Sequence, residues 1–264
     1  MTALPGAVEL ASPRPRATLR STLRLVVVPL WTLLLLAGFS VARIGPGGAA
    51  RGRRQVRRWA RGLLRLLSID VVVEGTPPTP PFFLVANHLS YLDIVVLLSE
   101  LDTVFVAKRE VRAWPVFGLG ARAIGCIFVD RESRRDTVRV TDAMRRRLAE
   151  GAGILLFAEG TSSDGTTVLP LRSSLLELPA ADALPVHTAA LSYHTDPGDP
   201  PAAESLCWWG DMTFLPHLAL VCRLGPSVAR VAFGRTAVSG ADRKRLAAEL
   251  HTALLADFRP SGTR

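Results

Sequence analysis

A chain of 264 residues is long enough for one sizeable domain with an appendage, and short for two full domains. Its formal charge of +9 comes almost wholly from arginine, a balance that suits either an anionic membrane surface or nucleic acid. Aromatic residues do not alternate with the basic ones and no zinc-finger or RNA-recognition motif occurs, which argues against nucleic acid as a partner. Cys126, Cys207 and Cys222 are widely spaced, which argues against a disulfide framework or zinc site and fits a reducing compartment.

Residues 1–20, rich in Ala, Pro and Arg, read as a disordered basic tail. Residues 25–42 are uncharged and mostly apolar, broken by Pro29, and just long enough to cross a hydrocarbon core. Arg43, Arg51, Arg53, Arg54, Arg57, Arg58, Arg61 and Arg65 follow with no acidic residue among them. That length and that charge favour a retained anchor over a cleaved signal, and leave open whether it spans or only re-enters the membrane. Val56, Trp59, Leu63, Leu66 and Leu67 recur at helical spacing through the arginines. They predict a basic amphipathic helix with Trp59 at interfacial depth on anionic headgroups, or one whose stripe packs on the domain. Residues 21–68 are thus read as a membrane-docking helical segment of the cytoplasmic (inner) membrane. By the positive-inside rule the globular part faces the cytoplasm.

Residues 69–264 alternate short β-branched runs with helical patterns. Strands are predicted at 69–73, 82–86, 103–107, 126–129, 154–157, 185–191 and 228–233, and helices at 91–101, 114–124, 136–150 and 241–258. Residues 77–81 read as a turn and 194–203 as a loop. The alternation implies an α/β fold with a largely parallel sheet flanked by helices, and sites at the carboxyl ends of its strands. Cys126, in a strand pattern, reads as a small core residue.

The run Asn87-His88-Leu89-Ser90-Tyr91-Leu92-Asp93 follows the buried strand pattern of 82–86 directly. A His leaving a strand and an Asp in the next helical turn can meet across the connection. The carboxylate then orients the imidazole, whose other nitrogen removes a proton from a substrate hydroxyl, as in a triad without a protein nucleophile. Taken alone, the same pattern also suits a helix cap or a satisfied turn. Three more segments end predicted strands with charge: Lys108-Arg109-Glu110, Asp130-Arg131, and Glu159-Gly160-Thr161.

Asn87-His88 with Asp93, the run 125–131, the run 157–161 and Leu184-Pro185-Val186 resemble, in order, the four motif blocks of the glycerolipid acyltransferases. The likeness covers about residues 70–190 and is nearest the bacterial 1-acylglycerol-3-phosphate acyltransferases. It implies acyl transfer from acyl-CoA or acyl carrier protein to a lysolipid hydroxyl at the membrane, forming phosphatidic acid, and no cofactor. It makes His88 the general base and Asp93 its orienter, with Lys108 and Arg131 holding an acceptor phosphate. A thioester is already activated, so the enzyme need only deprotonate the alcohol, hold both partners and stabilise the oxyanion. Ser90 then reads as a helix cap rather than a nucleophile. Glu159 is expected to bond an acceptor hydroxyl or a site cation, and Gly160 to allow close backbone approach.

The third block departs from the family pattern: Ala158 replaces a Pro, and Ser162 replaces an Arg expected to help hold phosphate. Arg172 could supply charge nearby. The segment 169–174, with Trp208-Trp209-Gly210-Asp211-Met212 and Pro216-His217, also resembles bacterial lyso-ornithine-lipid acyltransferases, which gives a second acceptor for the same reaction. His187, His194, His217 and His251 lack metal-ligand spacing and read as structural or surface residues, His217 the one nearest lipid. Trp208 and Trp209 fit either the core or an interface. A non-catalytic basic docking protein would explain the arginines but needs neither His88 nor Asp93.

Overall fold

The computed structural model describes residues 15–42, 47–113, 117–130 and 134–264. In chain order these form α1 (Pro15–Ala42), α2 (Gly48–Leu67), β1 (Ile69–Glu74), β2 (Phe82–Ala86), α3 (Leu92–Glu100), β3 (Thr103–Lys108) and α4 (Phe117–Ala123). They continue with β4 (Ile127–Val129), α5 (Arg134–Ala149), β5 (Gly153–Phe157), α6 (Glu177–Ala181), β6 (Val186–Thr195), α7 (Ala202–Ser205) and α8 (Phe214–Val221). Last come β7 (Ser227–Phe233), α9 (Arg243–Asp257) and β8 (Gly262–Thr263).

The strands form one sheet in the order β1-β7-β6-β2-β5-β3-β4, with β8 beside the end of β6. Every pairing is parallel except β6 with β7. Parallel strands need crossovers, so helices cover both faces and the central strands are apolar on both sides. In β2, Phe82, Leu84 and Ala86 face one core and Phe83 and Val85 the other, the period-two alternation of a pleated strand. The first core is closed by α2 and α3 through Leu63, Leu67, Leu92 and Val96, and the second by α5 and α9 through Val140, Met144, Leu246 and Leu250.

The amino-terminal helices form an antiparallel pair. Trp31 lies against Gly62, its indole donates to Trp59 O at 3.1 Å, and Arg24 reaches Ser68 at the far end of α2. The stripe of α2 packs on the domain, with Val56, Ala60, Leu63, Leu64 and Leu67 buried. Trp59 is half-buried between the two helices, its indole bonded to Thr32 Oγ1 at 3.4 Å. Arg53 pairs with Asp102 at 2.6 Å, and Arg57 and Arg61 donate to the carbonyls of Glu100 and Ser99. Cations there complement the carboxyl end of the α3 dipole.

α1 starts at Pro15, inside the stretch read as a tail, and residues 1–14 lie outside the described residues. Among the described residues no helix is long and apolar enough to cross a membrane. The buried face of α1 carries Ser21, Arg24, Val28, Thr32 and Leu35. Its exposed face carries Leu19 (80%), Leu23 (61%), Val26, Leu30, Leu33 and Leu34. The helix thus turns a row of large apolar side chains outward.

Candidate active site

The site grows from the carboxyl end of β2. Main-chain pairing of β2 with β6 runs to Ala86↔Ala189. The Asn87 side chain then takes the next rung, Nδ2 donating to Leu191 O at 3.0 Å and Oδ1 accepting from Leu191 N at 2.7 Å. With its side chain standing in for backbone, the chain is free to turn away. His88 sits in that turn and α3 begins four residues later.

Asp93, in the first turn of α3, is fully buried. Its Oδ2 accepts from His88 Nδ1 at 2.8 Å, Leu89 N at 2.7 Å and Ser90 N at 3.0 Å, and its Oδ1 from the Tyr193 hydroxyl at 2.7 Å. Four donors on one carboxylate describe an ionised, acceptor-only group. His88 Nδ1 therefore carries a proton, so that in the neutral imidazole Nε2 is the nitrogen with the lone pair. The imidazole stacks on Phe157, with ring centroids 4.1 Å apart and planes 18° from parallel. Its side chain remains 21% exposed, so a substrate can reach a base whose partner is sealed away.

The turn is held from both sides, since Ser163 N donates to His88 O at 2.9 Å and Trp208 N to Leu89 O at 2.7 Å. Glu159 lies at the end of β5, buried at 3% exposure. Leu169 N donates to its Oε1 at 3.3 Å, and its Oε2 has no hydrogen bond. Burial pushes the Glu159 carboxyl up to about 8, the nearby backbone N–H groups of His88 and Leu169 opposing. Its place is beneath the turn that carries His88. Gly160 holds φ +77°, and a Cβ there would come within 2.7 Å of Arg172 Nε, so the guanidinium packs on the bare glycine. Thr161 is exposed at the same turn.

The other expected residues are placed as follows. Lys108, at the end of β3, pairs with Glu110 at 3.1 Å, with both side chains more than half exposed. Arg109 pairs with Asp130 at 3.0 Å. Surface pairs of this kind contribute little and leave the lysine available to an anion. Arg131 lies outside the described residues. Ser90 is not a cap: its hydroxyl is buried without a hydrogen-bond partner, and Asp93 bonds the backbone N–H groups there. Ser162, where an Arg was expected, donates to Trp208 O.

His217 is buried rather than near lipid. Its Nε2 lies 3.0 Å from Cys207 O, an acceptor only, so Nε2 donates and Nδ1 accepts from the Tyr91 hydroxyl, also at 3.0 Å. Burial holds this imidazole below its ordinary range. Tyr91 immediately precedes α3, so α8 is tied to the turn that carries His88.

Sequence reasoning missed Asn87 as a rung substitute and Tyr193 as a partner of Asp93. Asn87 stood inside the motif, but Tyr193 is 100 residues away with no local signal.

A family model described as Acyltransferase matches residues 68–192. The chain is 41% identical over 190 residues to the lyso-ornithine lipid O-acyltransferase of Rhizobium meliloti, covering 67% of this chain and 65%, just under two thirds, of that enzyme. To the enzyme of the same name from Pseudomonas aeruginosa it is 34% identical, covering 80% of each chain. The chain belongs to the acyltransferase family. The 1-acyl-sn-glycerol-3-phosphate acyltransferase of Neisseria meningitidis serogroup B is 30% identical over 69% of this chain and 71% of that one. The crystal structure of the 1-acyl-sn-glycerophosphate acyltransferase PlsC from Thermotoga maritima matches with a TM-score of 0.60 at 19% identity, over 89% of this chain and 96% of that one. At that identity the likeness bears on the fold alone. In this acyltransferase the His88–Asp93 pair falls inside the matched segment.

Proposed function

We propose that this acyltransferase transfers an acyl chain from acyl-CoA or acyl carrier protein to the free hydroxyl of a lysolipid, and that lyso-ornithine lipid is its acceptor. The observation that carries the reaction is His88, with Nδ1 committed to a buried carboxylate and Nε2 left to a substrate on a half-buried, reachable ring. As the acceptor oxygen attacks the thioester carbonyl, its proton passes to Nε2. The tetrahedral intermediate then expels the thiol sulfur, which takes that proton from the imidazolium. Asp93 stabilises the transient cation and fixes the ring. No residue of the chain becomes acylated.

The motif blocks alone put phosphatidic acid formation first. Ser162 reverses that order in our reading. Its hydroxyl is spent on Trp208 O where a phosphate-binding Arg was expected, and Trp208 belongs to the segment that resembles lyso-ornithine-lipid acyltransferases. The names of the Rhizobium and Pseudomonas relatives agree. The second reading, 1-acylglycerol 3-phosphate as acceptor, is favoured by Lys108 at the end of β3.

The enzyme docks on the cytoplasmic face of the cytoplasmic membrane. The outward leucines of α1 suit the acyl region, and the exposed Arg54, Arg58 and Arg65 of α2 suit anionic headgroups. Leu215 of α8, 72% exposed, lies on a helix that touches α1 and extends this surface towards the catalytic turn. The test is to incubate the protein in vesicles with labelled acyl-CoA or acyl carrier protein donors against a panel of lysolipids. Transfer to lyso-ornithine lipid is expected. Transfer to 1-acylglycerol 3-phosphate alone would select the second reading, and transfer to neither would reject both.

A further inference from the structure

The carboxylate that orients His88 is itself held by a side chain from another strand. Tyr193 points from β6 into the first core, fully buried, and donates its hydroxyl to Asp93 Oδ1 at 2.7 Å. The other carboxylate oxygen is occupied by His88 and two backbone N–H groups, so Tyr193 is the donor that the far oxygen has. Burial, followed by the neighbouring Asp93 charge, pushes the phenol well above its ordinary range, so it stays a neutral donor wherever a His base works. Tyr193 is seated in turn by the chain's last residues. Its N–H donates to Ser261 Oγ at 3.0 Å, and Ser261 N donates to Gly165 O at 2.8 Å. Gly165 holds φ +78°, and any Cβ there would meet Ser261 Oγ at 2.5 Å. β8 then pairs His194↔Gly262 and Thr195↔Thr263, closing the carboxyl-terminal segment over the same stretch of β6.

We propose that Tyr193, seated by Ser261, is a positioning residue for acyl transfer: it fixes the Asp93 carboxylate, and through it the tautomer and aim of His88. Tyr193 touches no substrate. Its removal acts on the chemical step and not on binding, because Asp93 left with one undonated oxygen in the interior can rotate away from Nδ1. This inference rests on the acyl-transfer reading for its assay alone. A wild-type protein without transfer would sink that reading, whereas a fully active Tyr193→Phe sinks only this one.

The experiment is a kinetic double-mutant cycle in lipid vesicles. Tyr193→Phe keeps the ring and removes one oxygen. It should lower kcat about 10- to 100-fold, with the KM for donor and acceptor nearly unchanged, the loss appropriate to a hydrogen bond to a charged group. In an Asp93→Asn background the same substitution should cost little more, because the group it positions has gone. Wild-type kcat in Tyr193→Phe, or the same fractional loss in both backgrounds, would overturn the proposal. Should thermal unfolding show that Tyr193→Phe does not fold, Ser261→Ala carries the same cycle. It leaves the phenol in place and removes the acceptor of the Tyr193 N–H. A folded Ser261→Ala with wild-type kcat, or with a loss that persists undiminished beside Asp93→Asn, would likewise overturn it.

Discussion

Asn87 and Leu191 form a two-bond pair in which a side-chain amide replaces a rung of the β-ladder. Both partners are fully buried, so neither end of the pair can turn to water instead. Asn87→Ala should therefore destabilise the fold by about 1–3 kcal/mol in chemical denaturation, the cost of leaving a buried amide unpaired. Transfer activity should fall as well, since His88 leaves the sheet at the next residue. An unchanged denaturation midpoint would mean that the turn is held from elsewhere.

Glu159 makes stability depend on pH in a stated direction. Its carboxyl titrates near 4.5 when unfolded and near 8 in the fold, where burial favours the neutral form. Between those values the folded chain binds more protons than the unfolded one. The stabilisation is complete below about 4.5 and is lost as pH rises towards 8, with a slope of at most about 1.4 kcal/mol per pH unit. Glu159→Gln keeps an acceptor for Leu169 N and cannot ionise. Its melting temperature should overtake that of the wild type as pH goes from 5 to 8. Parallel curves for the two proteins would show that Glu159 is ionised throughout.

The sheet was legible because its strands are compact β-branched runs: 82–86 was read without error, and β1, β3, β5 and β7 within a residue or so. β6 runs on to Thr195, past the predicted end at 191, because antiparallel pairing with β7 buries Ser192 and Thr195, polar residues beyond the apolar run. α6 and α8 were missed, being short and each containing a proline, Pro179 and Pro216. Of the site, His88 and Asp93 could be read because five positions of local chain bring them together. Tyr193, Glu159 beneath the His88 turn, and the Tyr91–His217 bond could not, because their partners are joined only by the sheet order and the α8 crossing. The packing of the α2 stripe was one of two readings that the sequence left open, since a stripe that suits lipid also suits a neighbouring helix.

Membrane association should divide between two surfaces. Replacing Leu19, Leu23 and Leu30 with Ser should weaken binding to neutral and anionic vesicles alike, because it removes apolar area from the outward face of α1. Replacing Arg54, Arg58 and Arg65 with Gln should weaken only anionic vesicle binding, by about 1 kcal/mol per cation. Cosedimentation on both vesicle types separates the two. Leucine variants that bind as well as the wild type would assign that face to another partner.

Ser162→Arg tests the acceptor. A cation added beside the turn should impair transfer to lyso-ornithine lipid, by breaking the bond to Trp208 O. It should raise kcat/KM for 1-acylglycerol 3-phosphate if that headgroup is weakly held for want of charge. Lys108→Ala should raise the KM for the phosphate acceptor and leave that for lyso-ornithine lipid near wild type. A Ser162→Arg enzyme with unaltered preference would show that the residue does not face the headgroup.

The base assignment meets its most direct test in the rate of acyl transfer to lysolipid by wild-type and His88→Ala protein, both bound to the same anionic vesicles. With His88 as the base, transfer should fall by about 10²–10⁴-fold in His88→Ala, with membrane binding and melting temperature preserved. Asp93→Asn should also be severe, since the amide cannot hold the same tautomer. A His88→Ala protein that transfers acyl chains at the wild-type rate would contradict it.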